Sequence, residues 1–429
     1  MKRTENLRLY KRALAALLAL ALASALSGCT NKTNASHALN VPDDHYRTFY
    51  EIFVASYYDA NGDGTGDLNG VLQKLDYLND GDAKTDGDLG VNGIWLMPVM
   101  PSPSYHKYDV TDYYSVDPAY GTLEDFQALA SACHERGIRL IIDLPLNHTS
   151  NRHPCFLAAA AYYAQLPDGA EPDYAVCPEA GYYNFSKEKA GASGWRRLGS
   201  TDWYYEGQFT SEMPDLALDN PLVREEIQKI AAFWLRLGAD GFRLDAVKDY
   251  FTGSPNSDYE FLGWFNETVL AVDPDAILVG EALETNAVSL ASYYKSGLES
   301  FFDFPVAQAT GSMATVLRAK NGEKLASLLG QSASVYGAVN PNFVGAPFLS
   351  NHDTTRLSAQ YVNDASKMKL AAGILLTMRG SPFIYYGEEI GMNSKGTKDE
   401  NKRLPMRWSA TDLTGACDPP ANSASPVLP

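Results

Sequence analysis

Four short apolar runs in this 429-residue chain each end in a carboxylate or close to one. In Gly241-Phe242-Arg243-Leu244-Asp245 the two-residue period of a strand puts Arg243 and Asp245 on one face, and Phe242 and Leu244 on the other. An arginine beside a carboxylate favours the charged form, which keeps an aspartate ready as a nucleophile. Ile277-Leu278-Val279-Gly280-Glu281 ends in a glutamate after four uncharged residues. A carboxyl on an apolar rim holds its proton to higher pH, as a general acid must. Phe348-Leu349-Ser350-Asn351-His352-Asp353 and Ile141-Ile142-Asp143-Leu144-Pro145-Leu146-Asn147-His148 complete the set. For any single ending a structural ion pair is the better explanation than catalysis. Four at one face of a shared scaffold make a site.

Such a site needs a scaffold that lines up strand ends. From Tyr46 onward, β-rich runs at 49–57, 93–98, 139–144, 241–245, 277–281, 300–304, 345–350 and 382–386 alternate with helical patterns such as 123–136, 222–237 and 366–378. Pro221 ahead of one pattern, and Gly137 and Gly238 behind two, are helix end signals. Eight strand–helix units predict an α/β protein, a (β/α)8 TIM barrel whose chemistry gathers at the strands' C-terminal ends; a doubly wound open sheet is the weaker alternative. Residues 149–212, rich in Tyr, Gly, Pro and Asp and without clean periodicity, read as a small domain inserted after the third strand. After the eighth strand come Lys402-Arg403-Leu404-Pro405-Met406-Arg407-Trp408 and a Pro/Ser/Ala-rich tail. No eighth helix follows in the pattern, so Phe383 or Ile384 is expected to face outward uncovered, an invitation to self-association. The chain thus divides into 1–28 (leader), 29–45 (tether), 46–148 (barrel, strands one to three), 149–212 (insertion), 213–400 (barrel, strands four to eight) and 401–429 (tail).

Residues 143–148, 241–248, 279–281 and 351–353 resemble, in order, the four signature regions of the α-amylase family of glycoside hydrolases (family thirteen). Met213-Pro214-Asp215-Leu216 resembles that family's auxiliary motif ahead of the fourth strand, and the likeness runs over residues 46–408. It implies a retaining enzyme that cleaves internal α-1,4-glucosidic bonds of an α-glucan (starch, maltodextrin) through a covalent glycosyl-enzyme. By the resemblance Asp245 is the nucleophile, Glu281 the acid/base, and Asp353 the carboxylate that binds and distorts the sugar at the cleavage point. Arg243, His148 and His352 would hold that sugar, Lys248 would touch the substrate beyond it, and Tyr108 in Tyr105-His106-Lys107-Tyr108-Asp109 would stack on it. The chemistry agrees, because an oxocarbenium-like transition state needs one protonated acid and one carboxylate. Three features depart from the family pattern: Asp249 stands where histidine is usual, Lys107 replaces a common glycine, and no C-terminal β-sandwich or last barrel helix is read after strand eight, so 401–429 is expected to be a truncated tail. Ala246 and Lys248 resemble α-1,4-acting members. An α-glucosidase, oligo-1,6-glucosidase or neopullulanase-type activity, and a non-catalytic glucan-binding lipoprotein, are the alternatives.

Residues 59–67, Asp59-Ala60-Asn61-Gly62-Asp63-Gly64-Thr65-Gly66-Asp67, carry oxygen side chains at positions 1, 3, 5 and 9, glycine at 6, and a backbone carbonyl from Thr65 at 7. That is most of an EF-hand loop, and Ca2+ in a structural role is expected on Asp59, Asn61, Asp63, Thr65 and Asp67, although Gly70 stands where the bidentate glutamate belongs. A second calcium at Asn147, as in many α-amylases, stays open.

Basic residues fill 1–12, and 13–26 is an apolar run too short to cross a bilayer as a stable helix but right for a secretory signal. It ends in Leu26-Ser27-Gly28-Cys29, which resembles a bacterial lipobox and implies lipidation of Cys29; an ordinary cleaved signal is the alternative. The expected place is the extracellular face, with the membrane engaged only through the lipid anchor. Cys133 reads as a buried thiol, Cys155 and Cys177 as a bridge or two free thiols, and Cys417 as lying in a tail without partners. A net charge of −17 excludes duplex nucleic acid as a natural partner. A monomer is the expected state once the outer face of the eighth strand is covered.

Overall fold

The computed structural model describes residues 46–307, 310–394 and 398–423; the leader, Cys29 and the tether lie outside them. In chain order the elements begin with β1 (Phe49–Ile52), α1 (Leu68–Gln73), α2 (Leu75–Leu78), β2 (Gly93–Leu96), α3 (Leu123–Glu135) and β3 (Arg139–Leu144). The insertion holds α4 (Pro154–Gln165), β4 (Phe185–Ser186), β5 (Trp195–Arg197) and β6 (Tyr204–Glu206). Then follow α5 (Pro221–Leu237), β7 (Gly241–Leu244), α6 (Pro255–Leu270), β8 (Ile277–Gly280), α7 (Ala287–Tyr293), β9 (Ser300–Phe302), α8 (Ser312–Ala319), α9 (Gly322–Val339), β10 (Val344–Ala346), α10 (Leu357–Gln360), α11 (Ala365–Leu375) and β11 (Phe383–Tyr385).

Eight strands pair in parallel in the order β10-β9-β8-β7-β3-β2-β1-β11. The seam between β10 and β11 carries a Phe348–Phe383 bridge and a 2.9 Å hydrogen bond from the Phe383 amide to the Pro347 carbonyl. The sheet therefore returns on itself as the expected (β/α)8 barrel. Gly241 has to be glycine: its φ is 144°, and an added Cβ would lie 1.9 Å from the Ile277 carbonyl oxygen on the neighbouring strand. Helix ends follow the signals in the sequence. Asn220 caps α5 with Pro221 at its first position, and Gly238 (φ 116°) closes it in the left-handed region. Thr122 and Asp125 form a capping box on α3.

Alternate strand residues build two apolar layers. Phe49, Trp95, Ile141, Val279, Phe302, Phe348 and Phe383 fill the barrel interior. Tyr50, Ile52, Ile94, Leu96, Leu140, Ile142, Phe242 and Leu244 face the helices. Phe383 accordingly points inward and stacks on Phe49 with ring centroids 4.6 Å apart. Ile384 is the outward residue and, with Leu349, Leu375, Leu376 and Ile390, lines an apolar groove of about 670 Å³.

Two expectations need correction. The insertion is more regular than its sequence suggested, with a 12-residue helix and a three-stranded sheet (β4-β6-β5) around Phe156, Ala159, Tyr183 and Tyr205. Helix α4 is apolar on nearly every side, so it shows no amphipathic period. The tail also has partners. The Met406 amide donates to the Ser56 carbonyl, the Asp59 amide to the Gly415 carbonyl and the Asp418 amide to the Gly64 carbonyl, which straps residues 406–418 across the loop after β1 and buries Cys417. The described cysteines, Cys133, Cys155, Cys177 and Cys417, are all free thiols, so Cys155 and Cys177 form no bridge.

Candidate active site

Arg243 leaves the inner face of β7 fully buried, and acidic groups from three strand ends converge on its guanidinium. Its Nη1 lies 2.5 Å from Asp245 Oδ1 and 2.9 Å from Asp143 Oδ1, and its Nη2 lies 2.9 Å from Glu281 Oε2. One planar cation is thus shared by the expected nucleophile and the expected acid. Burial pushes the Glu281 carboxyl up to about 7; Arg243 opposes the shift, while Asp245 and Asp353 reinforce it. A glutamate that still carries its proton near neutrality can act as a general acid. The Trp95 ring lies beneath the guanidinium, 5.2 Å from centroid to Cζ.

Asp353 stands across from this pair with its side chain 47% exposed to the cleft. Desolvation would raise its carboxyl, but His352 and Arg403 outweigh that and hold it well below the usual carboxylate range. His352 Nε2 is 3.0 Å from Asp353 Oδ2 and 2.7 Å from the Tyr108 hydroxyl. The Tyr108 hydroxyl in turn donates to Asp143 Oδ2 at 2.9 Å, and its ring stacks on His352. His148 is buried beside Phe209, an exposed aromatic of the insertion, at 5.3 Å between centroids. Burial holds the His148 imidazole below its ordinary pKa against Asp245 and Asp109, and its Nε2 has no hydrogen-bond partner. A neutral ring with a free nitrogen can bond a sugar hydroxyl. Seven of the expected residues, Asp245, Glu281, Asp353, Arg243, Tyr108, His148 and His352, therefore share one site. Lys248 sits on the rim, 3.6 Å from Glu284, next to Asp249.

Residues 51–420 match the family model "Alpha amylase, catalytic domain". The chain belongs to the α-amylase family. It is 42% identical over 377 residues to Alpha-amylase 3 of Dictyoglomus thermophilum, covering 87% of this chain and 69% of that protein. The solved structure of Eubacterium rectale Amy13B superposes with a TM-score of 0.86 at 44% identity, over 94% of this chain and 77% of that one. The α-amylase from H. orenii gives 0.76 at 41% identity, over 87% and 75%.

This amylase-family barrel also places groups outside the expected set of site residues. Arg403, in the irregular segment after β11, puts Nη2 2.8 Å from Asp353 Oδ1 and donates from Nη1 to the Tyr105 hydroxyl at 3.0 Å. A single arginine in a coil has no periodicity to betray it. Ala246 adopts φ 47° directly after the nucleophile, and its amide donates to Glu281 Oε2 at 3.1 Å. A non-glycine residue held there at a cost marks a geometry the site imposes. Lys107 is likewise left-handed (φ 68°) and is held by an ion pair of 2.6 Å to Asp117. Glu51, inside β1, reaches the far side of His352.

The loop at 59–67 curls its amides onto its own oxygens. Asp59 accepts from the Asn61, Gly62 and Gly64 amides, Asn61 from Asp63, and Asp63 from Thr65. Asp67 caps α1 through the Gly70 amide and also accepts from the Ala60 amide. Among the described residues no group of three or more His, Cys, Asp or Glu side chains stands ready as a metal cage. The donor set is nonetheless all oxygen, which suits a hard cation. Asn147 donates to Asp215 Oδ1 at 3.2 Å.

Proposed function

We propose that the chain is a retaining endo-acting hydrolase of α-1,4-glucans, with starch and maltodextrins as substrates. The observation that carries this reading is the single guanidinium of Arg243 shared by Asp245 and Glu281. A retaining pair needs its carboxyls about 5–5.5 Å apart, whereas an inverting pair must leave room for a water between them. Asp245 would attack the anomeric carbon while Glu281 gives its proton to the departing glycosidic oxygen. The electron pair of that C–O bond leaves with the oxygen, and the sugar becomes an ester of Asp245. Glu281, now a carboxylate, would take a proton from water, whose oxygen displaces Asp245 and regenerates both groups. Asp353, Arg403, His148 and His352 would hold the sugar at the cleavage point. Phe209, exposed beside His148, offers a ring to a further sugar, which favours a chain over a single terminal glucose.

Calcium would sit in the loop at 59–67, with oxygens from Asp59, Asn61, Asp63, Thr65 and Asp67. It would tie the loop to the barrel rim and take no part in bond cleavage. Lipidation at Cys29 would hold a monomeric catalytic domain at the extracellular face; among the described residues no helix is long and apolar enough to cross a membrane. Chromatography of products from soluble starch, maltotriose and pullulan tests the reading. Mixed maltodextrins released early from starch, as fresh α-anomers by NMR, are expected. Glucose alone, hydrolysis confined to α-1,6 bonds, or a β-anomer appearing first would overturn it.

A further inference from the structure

Glu51 belongs to none of the signature segments, yet it enters the site from the opposite wall. It lies on β1, between Trp95 of β2 and Tyr385 of β11 in the parallel register, and is 1% exposed. Its Oε1 is 2.6 Å from His352 Nδ1. On the other side of the ring, Nε2 faces Asp353 Oδ2 at 3.0 Å and the Tyr108 hydroxyl at 2.7 Å. That hydroxyl donates its own proton to Asp143, so toward His352 its oxygen can only accept. Both ring nitrogens therefore meet acceptors. A neutral imidazole carries one N–H and can satisfy only one of them; the cation satisfies both.

We propose that Glu51 is a positioning residue that keeps both ring nitrogens of His352 protonated and, through that imidazolium, fixes Asp353 for its grip on the sugar at the cleavage point. The proposal rests on the reading of Asp353 as a sugar-binding carboxylate. The neighbours of His352 are accounted for on each side. Glu51 comes from β1, the Trp95 edge from β2 at 5.6 Å, Tyr108 from the loop after β2, and Asp353 from its own loop. Asp143 and Glu281 lie one shell away, and Arg243 and Arg403 are each bound to carboxylates. Burial of the imidazole lowers its pKa, and the Asp353 and Glu51 carboxylates more than reverse this, bringing it up to about 9.

The test is Glu51→Gln, which keeps an acceptor oxygen for Nδ1–H and removes the charge. The His352 ring resonance, assigned by its loss in His352→Gln, is followed by NMR against pH. In the unaltered protein it should stay protonated beyond the ordinary imidazole range, and in Glu51→Gln it should titrate about two units or more lower, back in the ordinary range. Maltodextrin hydrolysis by Glu51→Gln should fall about tenfold at about pH 7.5, roughly one unit above an ordinary imidazole, and recover toward about pH 5, where the imidazole is charged without help. Equal titration in both proteins, or an activity loss independent of pH, overturns the proposal. If Glu51→Gln fails to fold, the unaltered protein decides: His352 titrating in the ordinary range overturns it, and protonation well above that range supports it. The resonance needs no turnover, so an inactive chain would sink the glucan reading while the role of Glu51 toward the His352 ring would still be decided by the titration.

Discussion

Burial of the Glu281 carboxyl, with Asp245 and Asp353 as neighbouring carboxylates, holds its proton to about 7. Because the protonated form is the acid, kcat/KM on maltodextrin should fall as pH rises through about 7. Glu281→Gln should lower kcat about 10²–10⁴-fold and flatten that alkaline limb, with a melting temperature close to that of the unaltered protein. An aryl glycoside whose leaving group needs no proton should recover much of the first step; an equal loss on both substrates would remove Glu281 from the acid's role. Lys107 raises a different question, because its left-handed backbone disfavours a side chain while its ammonium holds Asp117. A left-handed residue other than glycine costs about 1–2 kcal/mol, and the loss of a part-buried ion pair costs about the same. Lys107→Ala keeps the strain and loses the pair, so it should be less stable than Lys107→Gly in urea denaturation. The reverse order would show that the backbone there is unstrained.

At the scale of elements, the proposed calcium site would give the loop after β1 two jobs with one set of oxygens. Asp67 caps α1, whereas Asp63 is exposed and accepts from the Thr65 amide. Asp63→Ala should therefore leave the folded chain active and abolish the rise in melting temperature with added calcium. In the unaltered protein, calcium at a hundredfold excess over its Kd should add about 2.7 kcal/mol of stability by mass action. Identical melting in chelator and in calcium would show that no such site contributes. Asp67→Ala should be destabilising even in chelator, by about 1 kcal/mol, because the cap is lost as well. The strap of residues 406–418 across this loop couples the tail to it, so calcium should also slow proteolysis near Gly415.

For the whole molecule, the side each residue faces decides what a substitution does. Phe383 and Ile384 are adjacent, but one packs against Phe49, Phe302 and Trp95 inside the barrel, and the other lines the outer groove. Phe383→Ala should cost about 3–5 kcal/mol by opening a cavity in a close-packed interior. Ile384→Ser removes atoms that already border open space and should cost well under half as much. Comparable losses from both, measured by denaturant unfolding, would mean that the groove is covered in solution.

The barrel was legible in the sequence because its strands are short and their ends chemically marked. All eight were found, with Asp143, Asp245 and Glu281 within one residue of the last paired position and Asp353 seven residues past the end of β10 at Ala346. Asp245, Glu281 and Asp353 could be read from strand position, because a barrel brings every strand end to one face. Helix α4 could not, since a segment apolar on all sides has no period. Nor could the partners of Arg403, which lie 50 and 298 residues away, or the facing of Glu51 onto His352, 301 residues distant. Local pattern specifies which residues leave a strand on its inner face. Only closure of the barrel decides which inner faces meet, because it joins strands far apart in the chain and excludes the water that would otherwise screen their charges.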